Sequence, residues 1–156
     1  MSKADTIIYS HINKMEIFTN NFIKLNKNCP ERDYIKISKE MAALHLSCFK
    51  STRQHSNQET MFYYLKDCKT HVFFDRISLA IIQVSGIEAD LLTIMVKPRY
   101  QKKGVGRKLL NHVTLYLKEL GVKKLFLEVA KNNYEAVSIY NFLGFVSCGT
   151  RKNYYP

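Results

Sequence analysis

Tryptophan is absent from this chain, proline occurs only three times and glycine only six. So sparse a supply of chain breakers excludes collagen-like and low-complexity classes and points to a folded globular domain. No run approaches the roughly eighteen apolar residues that a membrane-spanning helix needs, and the start carries no apolar stretch of the secretory kind. The expectation is a cytoplasmic protein with no membrane partner. The four cysteines, Cys29, Cys48, Cys68 and Cys148, form neither a metal knuckle nor a Cys-x-x-Cys pair and read as reduced thiols. His45, His55, His71 and His112 have no spacing that aims two rings at one ion, His11 stands alone, and no metal is expected. Acidic residues are scarce as well, 13 against 24 lysines and arginines, for a formal net charge of +11. Such a surface concentrates polyanions, but no zinc finger, ribonucleoprotein signature or basic zipper accompanies it. Direct nucleic-acid binding is therefore not expected; solvated lysines and a polyphosphate cofactor account for the charge.

At 156 residues, 46% hydrophobic and 24% charged, the chain has the size and composition of one soluble domain. Residues 1–32 are polar and rich in asparagine, end in Cys29-Pro30, and read as an extension of unknown role, with Met15 and Met41 as alternative starts. Over 33–156 the patterning predicts a short strand at Tyr34–Ile37 and a helix capped by Ser38, with Met41, Leu44, His45 and Cys48 on one face. A capping-box pattern, Ser56-Asn-Gln-Glu59, signals a second helix carrying Phe62 and Leu65. Strands follow at 71–74, 77–85 and 88–96, joined by two-residue separators as an antiparallel meander and closed by Pro98. Leu109, Leu110, Val113, Leu117 and Leu120 recur at helical spacing over 105–120, and Gly121 stands at the stop. A strand at 124–129, a helix at 134–143 ended by Gly144 and a strand at 145–148 complete a single mixed α/β domain.

Two segments carry chemistry. In Gln101-Lys-Lys-Gly-Val-Gly106 two glycines precede a helix, so the backbone can approach an anion with several N–H groups aimed at it. Lys102, Lys103, Arg107 and Lys108 add the positive charge that a pyrophosphate needs. The dinucleotide fingerprint is excluded because Leu109 stands where its third glycine belongs, and a Walker loop because Gly106 is followed by Arg107-Lys108. The second segment puts Glu128 on a strand between Leu127 and Val129, and Tyr140 on the next helix.

Gln101-x-x-Gly104-x-Gly106, behind a strand ending in Val96-Lys-Pro98, resembles the acetyl-coenzyme A loop of the GCN5-related N-acetyltransferase superfamily. Asn133, Ala136, Tyr140, Gly144 and Phe145 match its Asn-x-x-Ala-x-x-x-Tyr-x-x-x-Gly-Phe element. Within the superfamily, Leu127-Glu-Val-Ala130 and Arg151-Lys-Asn-Tyr-Tyr-Pro156 resemble the branch that acetylates the N-terminal alanine of a small-subunit ribosomal protein. The resemblance covers 33–156. Gln54-His55 stand where that branch often has a tryptophan, a departure at the substrate side.

The resemblance implies a mostly antiparallel sheet flanked by about four helices, and acetyl-coenzyme A as cosubstrate. Glu128 is then the general base, Tyr140 the general acid, and Asn133 a ligand of the pantetheine arm. Backbone groups around Met95, Val96 and Lys97, with Gln101, Lys102, Lys103, Gly104, Val105, Gly106, Arg107 and Lys108, hold the cofactor. Arg151, Tyr154 and Tyr155 line the acceptor groove. The superfamily usually adds one more strand, beside the one bearing the glutamate, after the position of Pro156. The sheet is therefore expected to lack that strand, or to be completed by the N-terminal extension or a neighbouring chain, in a monomer or weak dimer. Read without the family, Glu128 is a solvated strand residue, Tyr140 a core tyrosine and Asn133 a helix cap. Alternative acceptors are another protein N-terminus, a lysine or a small-molecule amine; a non-catalytic acyl-coenzyme A-binding regulator is the reading outside enzymology.

Overall fold

Five consecutive residues, Ser78 through Ile82, are buried on both sides of one strand, and the other elements are laid against it. The computed structural model describes residues 6–11, for which the backbone alone is considered, 30–49 and 57–151. The elements are β1 (Thr6–His11), α1 (Glu31–Cys48), α2 (Gln58–Lys66), β2 (Thr70–Phe74), β3 (Ser78–Ser85), β4 (Glu88–Val96), a 3-10 turn (Pro98–Tyr100), α3 (Val105–Glu119), β5 (Lys124–Ala130), α4 (Tyr134–Phe142) and β6 (Val146–Arg151). The six strands form one sheet in the order β2-β3-β4-β5-β1-β6, antiparallel throughout except where β5 runs parallel to β4.

Alternation along β3 divides the core into two layers. Leu79 and Ile81 pack with Met41 and Leu44 of α1, Met61 of α2, and Val72, Phe74 and Met95. Ala80 and Ile82 join Leu109, Leu110, Val113 and Leu117 of α3, Tyr140 of α4, and Leu125, Leu127 and Val129 of β5. Ile81 and Ile82 are completely buried, and each such side chain is worth about 1.5–3 kcal/mol of apolar transfer.

The expected strand at 34–37 is instead the first turns of α1. Tyr34, Ser38, Met41, Leu44 and His45 form a continuous buried stripe at helical spacing, and this outweighs the strand preference of Ile35 and Ile37. Ser38 is no cap: it lies buried inside the helix with its hydroxyl donating to the Ile35 carbonyl at 2.9 Å. Position 33, taken as the start of the domain, lies in the first turn of this helix. α2 is capped by Asn57, whose side chain accepts from the Thr60 amide at 2.9 Å, rather than by Ser56, which lies outside the described residues.

The segment expected to be an extension contributes β1, which occupies the slot between β5 and β6. The Ile8 position pairs with Glu128 on one side and with Gly149 on the other. Completion of the sheet therefore comes from within the chain, and among the described residues β6 pairs with no strand but β1. Because β1 is flanked on both sides, Ile8→Pro removes an N–H from an interior ladder. The expected outcome is a lower melting temperature and faster hydrogen exchange at Phe126–Ala130 and in β6; unchanged protection there contradicts this placement of β1.

Candidate active site

Pairing between β4 and β5 begins at Glu88 with Lys124 and stops at Leu91 with Leu127, although both strands continue. The cause is local. On the other side of β4, Ile81 is paired with Thr93 but Ile82 with Leu91, so Leu92 is an extra residue, a β-bulge. The bulge also exchanges the faces of the strand: Leu91 packs toward α3, whereas Met95 packs toward α1 and α2. Beyond it the two strands part, and Glu128 is the first residue of β5 past the last β4–β5 pair.

The Lys97 amide donates to the Ile77 carbonyl at 2.7 Å. By antiparallel alternation, Lys97, Met95 and Thr93 present their backbone groups to β3, and Val96 and Ile94 present theirs to the gap. The Val96 carbonyl is engaged, accepting from Gln101 Nε2 at 2.9 Å and from the Cys48 thiol at 3.5 Å; burial pushes the Cys48 thiol above its ordinary pKa. The amides of Ile94 and Val96 are thus the strand donors aimed into the gap. Ile94 was missed by the sequence reading, because the direction of a backbone group depends on a register that no local pattern reveals.

The glycine loop follows directly. Lys102 and Gly104 adopt left-handed conformations, φ 60° and 78°, and Gly104 stands at the N-cap of α3 without a capping side chain. The first turn of α3 holds no acidic residue, so the amides of Val105, Gly106 and Arg107 form an open anion cradle at the positive end of the helix dipole. A Cβ on Gly106 would meet Val96 Cγ2 at an ordinary 3.5 Å. Close packing therefore does not demand glycine there.

The basic residues are arranged unequally. Lys102 Nζ lies 2.7 Å from Glu135 Oε1, a hydrogen bond and charge contact that raise the lysine pKa and tie the loop to α4. The Arg107 guanidinium lies 5.5 Å from the centre of the Phe142 ring, and Lys103 lies 5.9 Å from that of Tyr100. Lys108 is exposed on the first turns of α3.

Asn133 caps α4, accepting from the Ala136 amide at 3.3 Å. Tyr140 is buried, with its ring 5.6 Å from that of Phe145, on the α3–α4 side of the sheet. Glu128 alternates with Leu127 and Val129 and so projects from the opposite face. The two approach one another only through the gap. Arg151 Nη2 lies 3.3 Å from Glu128 Oε1. Tyr154 and Tyr155 lie outside the described residues. Among the described residues no group of three His, Cys, Asp or Glu could hold a metal, and no helix is long and apolar enough to cross a membrane.

A split strand pair, a helix-start cradle and a carboxylate at the lip have the chemistry to receive an acyl thioester with a phosphate tail. Residues 38–145 match the acetyltransferase (GNAT) family model. The chain belongs to that family. A GNAT relative, the [ribosomal protein bS18]-alanine N-acetyltransferase of Haemophilus ducreyi, is 32% identical over 126 residues, 81% of this chain and 85% of its own length. The enzyme of the same name from Escherichia coli K12 is 46% identical over 79 residues, 51% of this chain and 53% of the relative, so that match spans about half its length. The crystal structure of the ribosomal-protein-S18-alanine N-acetyltransferase from Escherichia coli superposes with a TM-score of 0.72 at 27% identity, covering 88% of this chain and 84% of that one. The PaiA N-acetyltransferase of Thermoplasma acidophilum in complex with coenzyme A shares the GNAT fold at 18% identity, with a TM-score of 0.60 and coverage of 70% and 83%.

A side chain at Gly104 meets nothing within 4 Å, so its cost is purely that of a left-handed backbone. Gly104→Ala is expected to cost about 1–2 kcal/mol in urea unfolding and to weaken binding of coenzyme A. Unaltered stability and affinity contradict the cradle geometry.

Proposed function

We propose that this chain is an acetyl-coenzyme A-dependent N-acetyltransferase acting on the α-amine of an N-terminal alanine of a small-subunit ribosomal protein. The reading rests above all on Glu128 standing where β5 parts from β4, across a gap into which the Ile94 and Val96 amides point. The sequence identity to ribosomal protein bS18-alanine N-acetyltransferases supports the acceptor.

Acetyl-coenzyme A supplies the activated acyl thioester. The open amides of Val105–Arg107, with Lys103, Arg107 and Lys108, hold its phosphates, and Ile94 and Val96 pair with the pantetheine arm in the manner of a missing strand. A β4 amide donates to the thioester carbonyl as charge develops on its oxygen. The acceptor nitrogen attacks that carbon and the C–S bond breaks. Glu128 takes the proton from the nitrogen, directly or through a water, and Tyr140 gives one to the departing sulfur, so the products are an amide and a neutral thiol. An α-amine, with a pKa of about 7.7–8.0 against about 10.4 for lysine, needs only a modest base. Asn133 combines its capping role with a contact to the pantetheine arm. Arg151, Tyr154 and Tyr155 belong to the acceptor side.

A panel of acceptors tests the assignment: an alanine-initiated ribosomal peptide, the same peptide blocked at its amine but carrying a lysine, and a small polyamine. The alanine peptide is expected to lead in kcat/KM; a chain that acetylates the polyamine efficiently and ignores the peptide is something else. Glu128→Gln and Tyr140→Phe should each lower kcat by about 10²–10⁴-fold. Tyr140→Phe keeps the packing against Phe145, so full activity in that variant removes Tyr140 from the mechanism.

A further inference from the structure

We infer that Arg151 sets the amine selectivity of this site, and that a register shift in β6 delivers it to Glu128; the inference builds on the role proposed for Glu128 above. On β6, Val146 pairs with Ser10 and Ser147 with Tyr9, but the next pair is Gly149 with Ile8, and Cys148 is skipped. Residues in one row of a pleated sheet share a face, and a shift of one residue turns every following side chain to the other face. The row of Glu128 runs through Ile8 to Gly149, and the next row on the same face runs from Ala130 through Thr6 to Arg151. Without the extra residue, Cys148 would stand in the row of Glu128 and Arg151 would project from the far side of the sheet. With it, the guanidinium reaches Glu128 Oε1 at 3.3 Å across β1.

Stabilising the fold does not explain this contact. Its two side chains are 51% and 31% exposed, and ion pairs so open to water contribute little to stability. Chemistry explains it better. A lone carboxylate at the lip of the gap attracts ammonium ions, which carry no lone pair for attack. Arg151 cancels that charge and sets a like charge beside any entering ammonium, so the neutral amine is admitted. At pH 7 about one α-amine in ten is neutral, against roughly one lysine in 2,500. A site restricted to neutral amines thus favours chain termini over lysines by about two orders of magnitude before the rest of the acceptor is touched.

The test measures kcat/KM of the full chain for an alanine-initiated peptide and for its amine-blocked, lysine-containing counterpart. Arg151→Gln is expected to shift the ratio at least tenfold toward lysine while leaving the melting temperature and the KM for acetyl-coenzyme A unchanged. Arg151→Lys, which keeps the charge, should retain most of the selectivity. Cys148→Ala, which keeps the extra residue and with it the placement of Arg151, should leave the wild-type ratio. A wild-type ratio in Arg151→Gln, or an equal loss for both peptides, overturns the inference. A wild-type chain that itself prefers the lysine peptide overturns the alanine reading instead, and the direction of the Arg151→Gln shift still decides this one.

Discussion

The bulge at Leu92 is the constraint on which the rest of the site depends. A continuous β4–β5 ladder would consume the backbone donors of Ile94 and Val96 and close the sheet over Glu128. One extra residue ends the pairing at Leu91 and Leu127, re-aims the strand so that Met95 enters the opposite core layer, and leaves polar backbone along a gap. Unpaired amides are costly wherever water is excluded, so a ligand with its own amide groups is a fitting occupant. The glycine loop starts a helix whose uncapped N–H groups lie beyond the end of the split strand.

Around the gap the molecule is built unevenly. β2, β3 and β4 are clamped between α1–α2 on one side and α3 on the other, with most of their apolar residues buried and the bulged Leu92 exposed. β6, in contrast, is exposed along nearly its whole length and, among the described residues, has β1 as its one strand partner. The loop side of the gap thus rests on a buried frame, with Lys102 and Glu135 in contact between the loop and α4, while the β6 side is a thin, exposed edge. Glu128 sits at the junction of the two.

Much of this was legible in the chain. The meander, α3, β5 and α4 followed from separators and periodicity, because Asp75-Arg76, Gly86-Ile87, Gly121 and Gly144 punctuate strongly patterned runs. Both helix-stop glycines have positive φ, the reason glycine belongs there. Illegible were features fixed by pairing at a distance. The β-branched Ile35 and Ile37 suggested a strand where a buried helical stripe decides otherwise. The bulges at Leu92 and Cys148 have no local signature, and hence neither do the directions of the Ile94 amide and the Arg151 side chain. The pairing of residues 6–11 with β5 spans more than a hundred residues of sequence, so no local pattern carries it.

Hydrogen exchange along β4 with and without acetyl-coenzyme A tests the split-strand account most directly. If the gap is the cofactor seat, saturation protects the amides of Ile94 and Val96 strongly and those of Val105–Arg107 as well, while Met95 and Lys97, already bonded toward β3, change little. Protection confined to the glycine loop, with Ile94 and Val96 exchanging as freely as before, would contradict it.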